Sequence, residues 1–212
     1  MMMGSLPTFA EERAAHNLGY SLVAGLDEVG RGALAGPVFA AAVILPRRAR
    51  FSWLKKVRDS KLLTPKQREE LAPLIYRDAV AACVAQSSVE EIEERNILQA
   101  TWLAMGRALE GLGRQPEFLL VDGMKLPRVT LPQKGIIAGD KLSFSIACAS
   151  IVAKVARDHV MRELDGRYPG YGMARHKGYG TQEHMDSLRK LGASPIHRRS
   201  FAPVSMVLRV YD

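Results

Sequence analysis

The sequence predicts an α/β protein built on a mixed sheet that is antiparallel at one end. Three observations carry this. Apolar strand-like runs alternate with helix-like segments along most of the chain. The first two runs are joined by a short glycine-rich connection, which suits antiparallel neighbours. The later runs are separated by a longer segment with helix capping signals, as parallel neighbours need.

The elements follow in order. The N-terminal stretch to about residue 18 predicts a short helix or a loose arm. Ser21 to Asp27 is a β-like run ending in acids. Gly36-Pro37 leads into Val38 to Leu45, whose lack of alternation predicts a strand buried on both faces. Thr64 is an N-cap before Pro65 at the first helical position, and KQREELAPLIYRD continues that helix. Ala79 to Gln86 is a third strand. Ser88 and Glu91 form a capping-box pattern that opens a helix over Val89 to Leu109, with Ile92, Leu98, Leu103 and Leu109 turned inward. Phe118 to Val121 is a strand that ends at Asp122, and Gly135 to Ala138 is another, followed by Asp140. Leu142 to Glu163 predicts a long helix, with Ile146, Ser150, Lys154 and Val155 at helical spacing. A glycine-rich loop then leads to a helix over Gln182 to Leu191.

The 212 residues carry 30 Lys and Arg against 22 Asp and Glu, a net charge of +8. That excess favours a polyanionic partner, nucleic acid before a membrane surface. Cys83 and Cys148 both lie in apolar runs and read as small buried hydrophobes of a reducing compartment. The longest apolar run, Val38 to Leu45, is far short of a membrane span, and the N-terminal stretch has early acids and no apolar core of signal-peptide length. The expectation is a cytoplasmic, soluble protein with no membrane contact. A P-loop is excluded, because no glycine-rich loop ends in Gly-Lys-Ser/Thr.

Four acids share one structural address. Asp27, Glu28, Asp122 and Asp140 each follow an apolar strand-like run. Functional groups of open α/β sheets gather at the carboxyl ends of strands. Taken singly, each acid is as readily a helix cap or a solvated turn residue. Taken together, they would repel one another unless cations neutralised them, and hard divalent ions with oxygen ligands do this. Two such ions about 3.5–4 Å apart can activate water and stabilise a leaving oxygen of a phosphodiester. Adjacent strand residues point to opposite faces, so Asp27 and Glu28 share a site only where the strand ends or bulges. Asp158 lies 18 residues beyond Asp140, about 27 Å along a helix, and is read as a structural residue paired with an Arg or Lys.

These residues resemble a known family. GLDEVGRGALAGPV is similar to the signature of the type 2 ribonucleases H, the bacterial ribonuclease HII group. The likeness continues through DSKLLTPKQREEL, SVEEIEERNILQA, LLVDGMKLP, IIAGDKLSFSIACASIVAKVARDHVM, HKGYGTQEH and HRRSFAPV, in order from Gly25 to Val204. Ala33 departs from a common proline, and Met124 from a small polar residue. The resemblance implies a ribonuclease H-like fold: a mixed five-stranded sheet flanked by helices, with a C-terminal helical extension from about residue 165 of a single domain spanning 1–212. It implies that Asp27, Glu28, Asp122 and Asp140 bind Mg²⁺ or Mn²⁺. It also implies two-metal-ion hydrolysis on the 5′ side of a ribonucleotide, in RNA–DNA hybrids and at single ribonucleotides in duplex DNA, leaving a 3′-hydroxyl and a 5′-phosphate. A monomer is expected. The related ribonuclease HIII usually carries an added N-terminal domain, for which the roughly 20 residues before the first strand leave little room.

A ribonucleotide differs from its neighbours by its 2′-hydroxyl. Gly30-Arg31-Gly32 is either a tight turn or a loop whose backbone approaches a sugar, and the resemblance favours the second. Arg31 would then hold the adjacent phosphate. In the family a tyrosine matching Tyr179 packs against the sugar at the RNA–DNA junction. Lys61 and Lys177 are expected to contact phosphates, which fixes register without reading sequence. His176 and His184 are expected to be structural or phosphate-facing.

Overall fold

The computed structural model describes residues 6–211, with side chains to residue 208. The first five residues of the expected N-terminal arm, and Asp212, lie outside the described residues. The elements are α1 (Ala10–Asn17), β1 (Val23–Val29), β2 (Val38–Ile44), α2 (Pro65–Asp78), β3 (Ala81–Ser87), α3 (Val89–Glu110), β4 (Phe118–Asp122), β5 (Gln133–Ile136), α4 (Phe144–Arg167), α5 (Met173–His176), α6 (Gln182–Leu191) and α7 (Ala202–Tyr211).

The five strands form one sheet in the order β3-β2-β1-β4-β5. β1, β2 and β3 are antiparallel neighbours, whereas β4 and β5 run parallel to β1. The sheet is mixed and antiparallel at one end, as expected, but connection length does not decide the pairing throughout: β2 and β3 are antiparallel across a connection that holds α2, and β4 and β5 are parallel across one that holds no helix. β2 is buried along its whole length, as its unbroken apolar run predicts. One of its faces (Ala41, Val43) packs under α2 and α4, and the other (Ala40, Ala42, Ile44) under α3.

α4 lies directly on β1. A Cβ at Gly25 would fall 2.2 Å from the Ser145 carbonyl carbon, so only glycine admits the helix this close. Ser143 caps α4 by accepting from the Ile146 amide. Buried Glu12 of α1 accepts from the Ser143 hydroxyl at 2.7 Å and the Ser145 amide at 2.8 Å. Its carboxylate sits where the helix dipole favours negative charge. The N-terminal helix is therefore fastened to the start of α4 rather than loose.

α3 departs from the expected continuous helix. Asn96 has φ 68° and ψ 162°, which breaks the helical path. Its Oδ1 accepts from the Leu98 and Gln99 amides and so recaps the second half. Leu98, Leu103 and Leu109 are only partly buried. The face against the sheet is Ala100, Thr101, Ala104, Met105 and Ala108, mostly small residues that let the helix approach the alanines of β2. Ile92 is buried as expected.

The segment after α4 folds back over the loop between β1 and β2. Leu34 of that loop packs with Leu188 of α6 and with Val204 and Val207 of α7. Isolated bridges join Ala33 to Tyr179 and Ala35 to His197. No helix among the described residues is long and apolar enough to cross a membrane.

Candidate active site

The parallel pairing of β1 with β4 reaches Leu26 opposite Val121, which sets Asp27 beside Asp122. Asp27 pairs across with Ala41, and Asp122 is two residues on from Leu120, which packs on Ile146. Both therefore lie on the face covered by α4. Asp140 comes from a 3₁₀ turn, Gly139–Lys141, just past β5, entered through Ala138 at φ 54°. Asp122 holds that turn in place, because its Oδ1 accepts from the Gly139 amide at 2.6 Å.

Glu28 reaches the site without a bulge. Pairing with β2 stays regular through Val29 opposite Phe39, so Glu28 points to the face opposite Asp27. β4 ends at Asp122, however, and Glu28 stands past that end, where the sheet is open. Termination of the neighbouring strand, not distortion of β1, brings the two adjacent acids to one edge.

The electrostatics mark these acids as a unit. Asp27 is pushed well above the usual carboxylate range, first by burial, then by the charges of Glu28 and Asp122, with Asp140 adding less; a bond from Ser150 opposes them. Asp140 is raised to about 6 by burial, then by Asp59 and Asp122, against the pull of Lys61. Glu28 is raised by burial, with Arg31, whose Nη1 lies 3.3 Å from Glu28 Oε1, acting in the other direction. Among the described residues, no three acidic, imidazole or thiol groups are already closed around a single point as metal ligands. The acids are gathered and mutually repelling.

A fifth acid lies in this site. Asp59 is buried and stands against Asp140. Its Oδ1 accepts from the Lys61 amide at 2.9 Å, and its Oδ2 lies 4.0 Å from Lys141 Nζ. Lys61 Nζ is 3.9 Å from Asp140 Oδ2. The serine hydroxyls of Ser60 and Ser150 meet at 2.8 Å beneath Asp27. Sequence reasoning singled out Lys61 but missed Asp59, because no apolar strand precedes it. The available signal was an acid lodged in a strongly basic stretch.

Gly30-Arg31-Gly32 begins where β1 ends. Arg31 and Gly32 are exposed, and a Cβ at Gly32 would meet nothing within 4 Å, so its backbone is open to approach. Gly30 has φ +94° and packs against Arg157. Tyr179 lies across from this loop through its bridge to Ala33, with its ring 5.5 Å from the Arg157 guanidinium carbon. Lys177 turns back on its own loop: Nζ donates to the Ala174 carbonyl, and burial holds its pKa below the usual lysine range.

The histidines are structural in this arrangement. His176 stacks on His184 at 4.4 Å between ring centroids, and His184 Nε2 meets His197 Nε2 at 3.1 Å. All three rings are buried, and burial holds each below the usual imidazole range. Asp158 lies within 3.4 Å of Arg68 and 2.5 Å of Lys154, the structural ion pairing expected of it. Ala33 is buried, whereas Met124 is exposed.

Residues 24–204 match the family model described as ribonuclease HII. The chain belongs to the ribonuclease HII family. Ribonucleases HII cleave RNA in RNA–DNA hybrids and at single ribonucleotides in DNA. The ribonuclease HII of Dehalococcoides mccartyi is 55% identical over 198 residues, 93% of each chain. A ribonuclease HII of Archaeoglobus fulgidus, solved in complex with PCNA, is 26% identical with a TM-score of 0.70 over 87% of this chain and 96% of that one. Ribonuclease H2 of Pyrococcus horikoshii shares the fold, with a TM-score of 0.75 at 24% identity over 90% of this chain and 98% of that one. The mixed five-stranded sheet with flanking helices is thus the ribonuclease H-like fold.

Proposed function

We propose that this ribonuclease HII hydrolyses the phosphodiester 5′ of a ribonucleotide, leaving a 3′-hydroxyl and a 5′-phosphate, with Asp27, Glu28, Asp122 and Asp140 holding Mg²⁺ or Mn²⁺. The observation that carries this is Asp27, a buried carboxylate that the β1–β4 pairing sets beside Asp122 and that is raised first by burial and then by the charges of Glu28, Asp122 and Asp140. An all-oxygen, anionic donor set suits hard divalent ions. Two such ions supply activation of the attacking water and charge stabilisation of the leaving oxygen.

The chain's own groups do the rest. Asp122 fixes the Asp140 turn through the Gly139 amide, and Ser150 fixes Asp27. Lys61, exposed beside Asp140, approaches the backbone phosphates of the substrate. The open backbone at Gly32 and the ring of Tyr179 flank the ribose and the sugar that follows it. Arg31 and Lys177 contribute to phosphate contact, with Lys177 first releasing the Ala174 carbonyl. The substrates are RNA–DNA hybrids and duplex DNA containing single ribonucleotides. We read the enzyme as a single-domain monomer of the cytoplasm; the free thiols of Cys83 and Cys148 support the reducing compartment.

The deciding assay incubates the purified protein with all-DNA, single-ribonucleotide and RNA–DNA hybrid duplexes, with Mg²⁺ and with EDTA. Cleavage of the two ribose-containing duplexes alone, lost in EDTA, is expected. Cleavage of all-DNA duplex, or full activity in EDTA, overturns the reading.

A further inference from the structure

Arg157 is fully buried, yet it belongs to none of the groups that carry charge at the acid cluster. It projects from α4 into the gap between two loops. Its Nε donates to the Pro37 carbonyl at 3.0 Å and its Nη2 to the Ala35 carbonyl at 3.2 Å, both in the loop after β1. Its Nη1 donates to the Lys177 carbonyl at 2.9 Å, and its guanidinium carbon stands 5.5 Å from the centre of the Tyr179 ring. One planar group thus fastens the Gly30–Gly32 loop to the Tyr179 loop.

Gly30 makes room for it, and Gly178 lets the Tyr179 loop approach the Ala35 carbonyl. A Cβ at Gly30 would lie 2.1 Å from Arg157 Nε, and one at Gly178 would lie 2.6 Å from the Ala35 carbonyl oxygen. Gly30 is therefore occupied on its inner side by Arg157, which leaves Gly32 as the glycine with open space around it.

Among the described residues, no carboxylate lies within ion-pairing distance of Arg157; neighbouring Asp158 is engaged by Arg68 and Lys154. Burying a cation against carbonyls alone is expensive, and apolar side chains commonly fill such sites at least as stably. A rigid fork that spans two loops offers what an apolar chain does not: a fixed spacing.

We propose that Arg157 is a positioning residue that sets the spacing between the Gly30–Gly32 loop and Tyr179, and thereby the preference for a ribose followed by a deoxyribose. This rests on the proposed reading of those two elements as the sugar contacts. A displacement of about 1 Å in positioned groups can cost about 10²-fold in rate. Arg198 serves as the comparison. Its Nε and Nη2 donate to the Gly36 carbonyl and its Nη1 to the Arg31 carbonyl, so it braces the first loop but donates nothing to the second.

The test compares wild type, Arg157→Lys, Arg157→Gln and Arg198→Lys on a single-ribonucleotide duplex and on an RNA–DNA hybrid. Wild-type cleavage of the single-ribonucleotide duplex comes first, since its absence removes the underlying reading and not this one. Arg157→Lys is expected to lower kcat on the single-ribonucleotide duplex by about tenfold or more, with a smaller loss on the hybrid and little change in KM. Arg198→Lys is expected to slow both substrates alike. In a cycle with Tyr179→Ala, the losses should be less than additive, because both substitutions disturb one arrangement. Arg157→Gln carries no buried charge and keeps a donor, so it serves where the lysine variant does not fold. An unchanged ratio of the two activities in a folded Arg157 variant, or additive losses in the cycle, overturns the proposal.

Discussion

Asp27 and Asp122 stand side by side on the face of the sheet that α4 covers, one on each of two parallel strands. Ninety-five residues separate them in sequence, and the Leu26–Val121 pairing closes that gap. The cost of this closeness is electrostatic, and it shapes the expected behaviour of the protein.

Asp27→Asn is expected to abolish Mg²⁺-dependent cleavage of a duplex with one ribonucleotide while duplex binding persists. It removes a buried acid of the proposed metal site but none of the exposed cations. Binding by gel shift beside single-turnover cleavage separates the two effects. Full activity in the variant would sink the metal-site assignment.

The acid cluster should cost stability in the absence of metal as pH rises. Asp140 is held at about 6 and Asp27 is raised in the same direction, so these two groups bind protons more tightly in the folded state than in the unfolded chain. Their stabilisation is present below the usual carboxylate pKa and lost as pH climbs from about 4 through about 6. Buried His176, His184 and His197 are held below the usual imidazole range and act in the opposite direction over the same pH range. The contribution of the acids is therefore read as the difference between wild type and Asp140→Asn in EDTA: wild type should lose thermal stability relative to the variant across that window, and Mg²⁺ should restore it at neutral pH. A difference that does not change with pH contradicts the coupling.

Tyr179→Ala should slow cleavage at an RNA–DNA junction far more than it weakens binding. The ring leans on Arg157, and the Tyr179 backbone bridges to Ala33 in the loop after β1, so the residue is held in place before substrate arrives. Steady-state kinetics beside direct binding makes the comparison. Equal losses in both would mean that the ring adds affinity only.

Gly25→Ala should destabilise the fold. The new methyl would meet the Ser145 backbone at 2.2 Å, and backbone has no rotamer by which to yield. Overpacking of this kind costs about 1–3 kcal/mol or more, readable as a lower denaturant midpoint. A midpoint equal to wild type would show that α4 can lift from β1.

Much of this arrangement is legible in the sequence because short-range rules fix it. Thr64 announces its helix as an N-cap before Pro65, and Ser88 announces the next through its capping box; the structure contains both caps. The unbroken apolar run at Val38 correctly foretells burial on both faces. The meeting of Asp27 and Asp122 follows from strand ends, whereas Asp140 reaches them from the 3₁₀ turn past β5. What escapes is long-range or irregular. Asp59 reaches Asp140 from a 3₁₀ segment with no apolar run to flag it. Asn96 breaks α3 although its side-chain caps are invisible to periodicity. The Leu98, Leu103 and Leu109 face gives way to alanines because proximity to the sheet outweighs hydrophobicity at that contact.

Ser150, which touches Asp27, and Arg157, which grips the two loops, are seven residues apart on α4. Seven residues make two turns, about 10.5 Å along nearly the same side of the helix. α4 is thus a ruler between the place of cutting and the place of recognition. Substitutions on its outer surface leave the ruler intact. A single inserted or deleted residue between 150 and 157 turns one end by about 100° against the other, and no repacking of neighbours restores the phase.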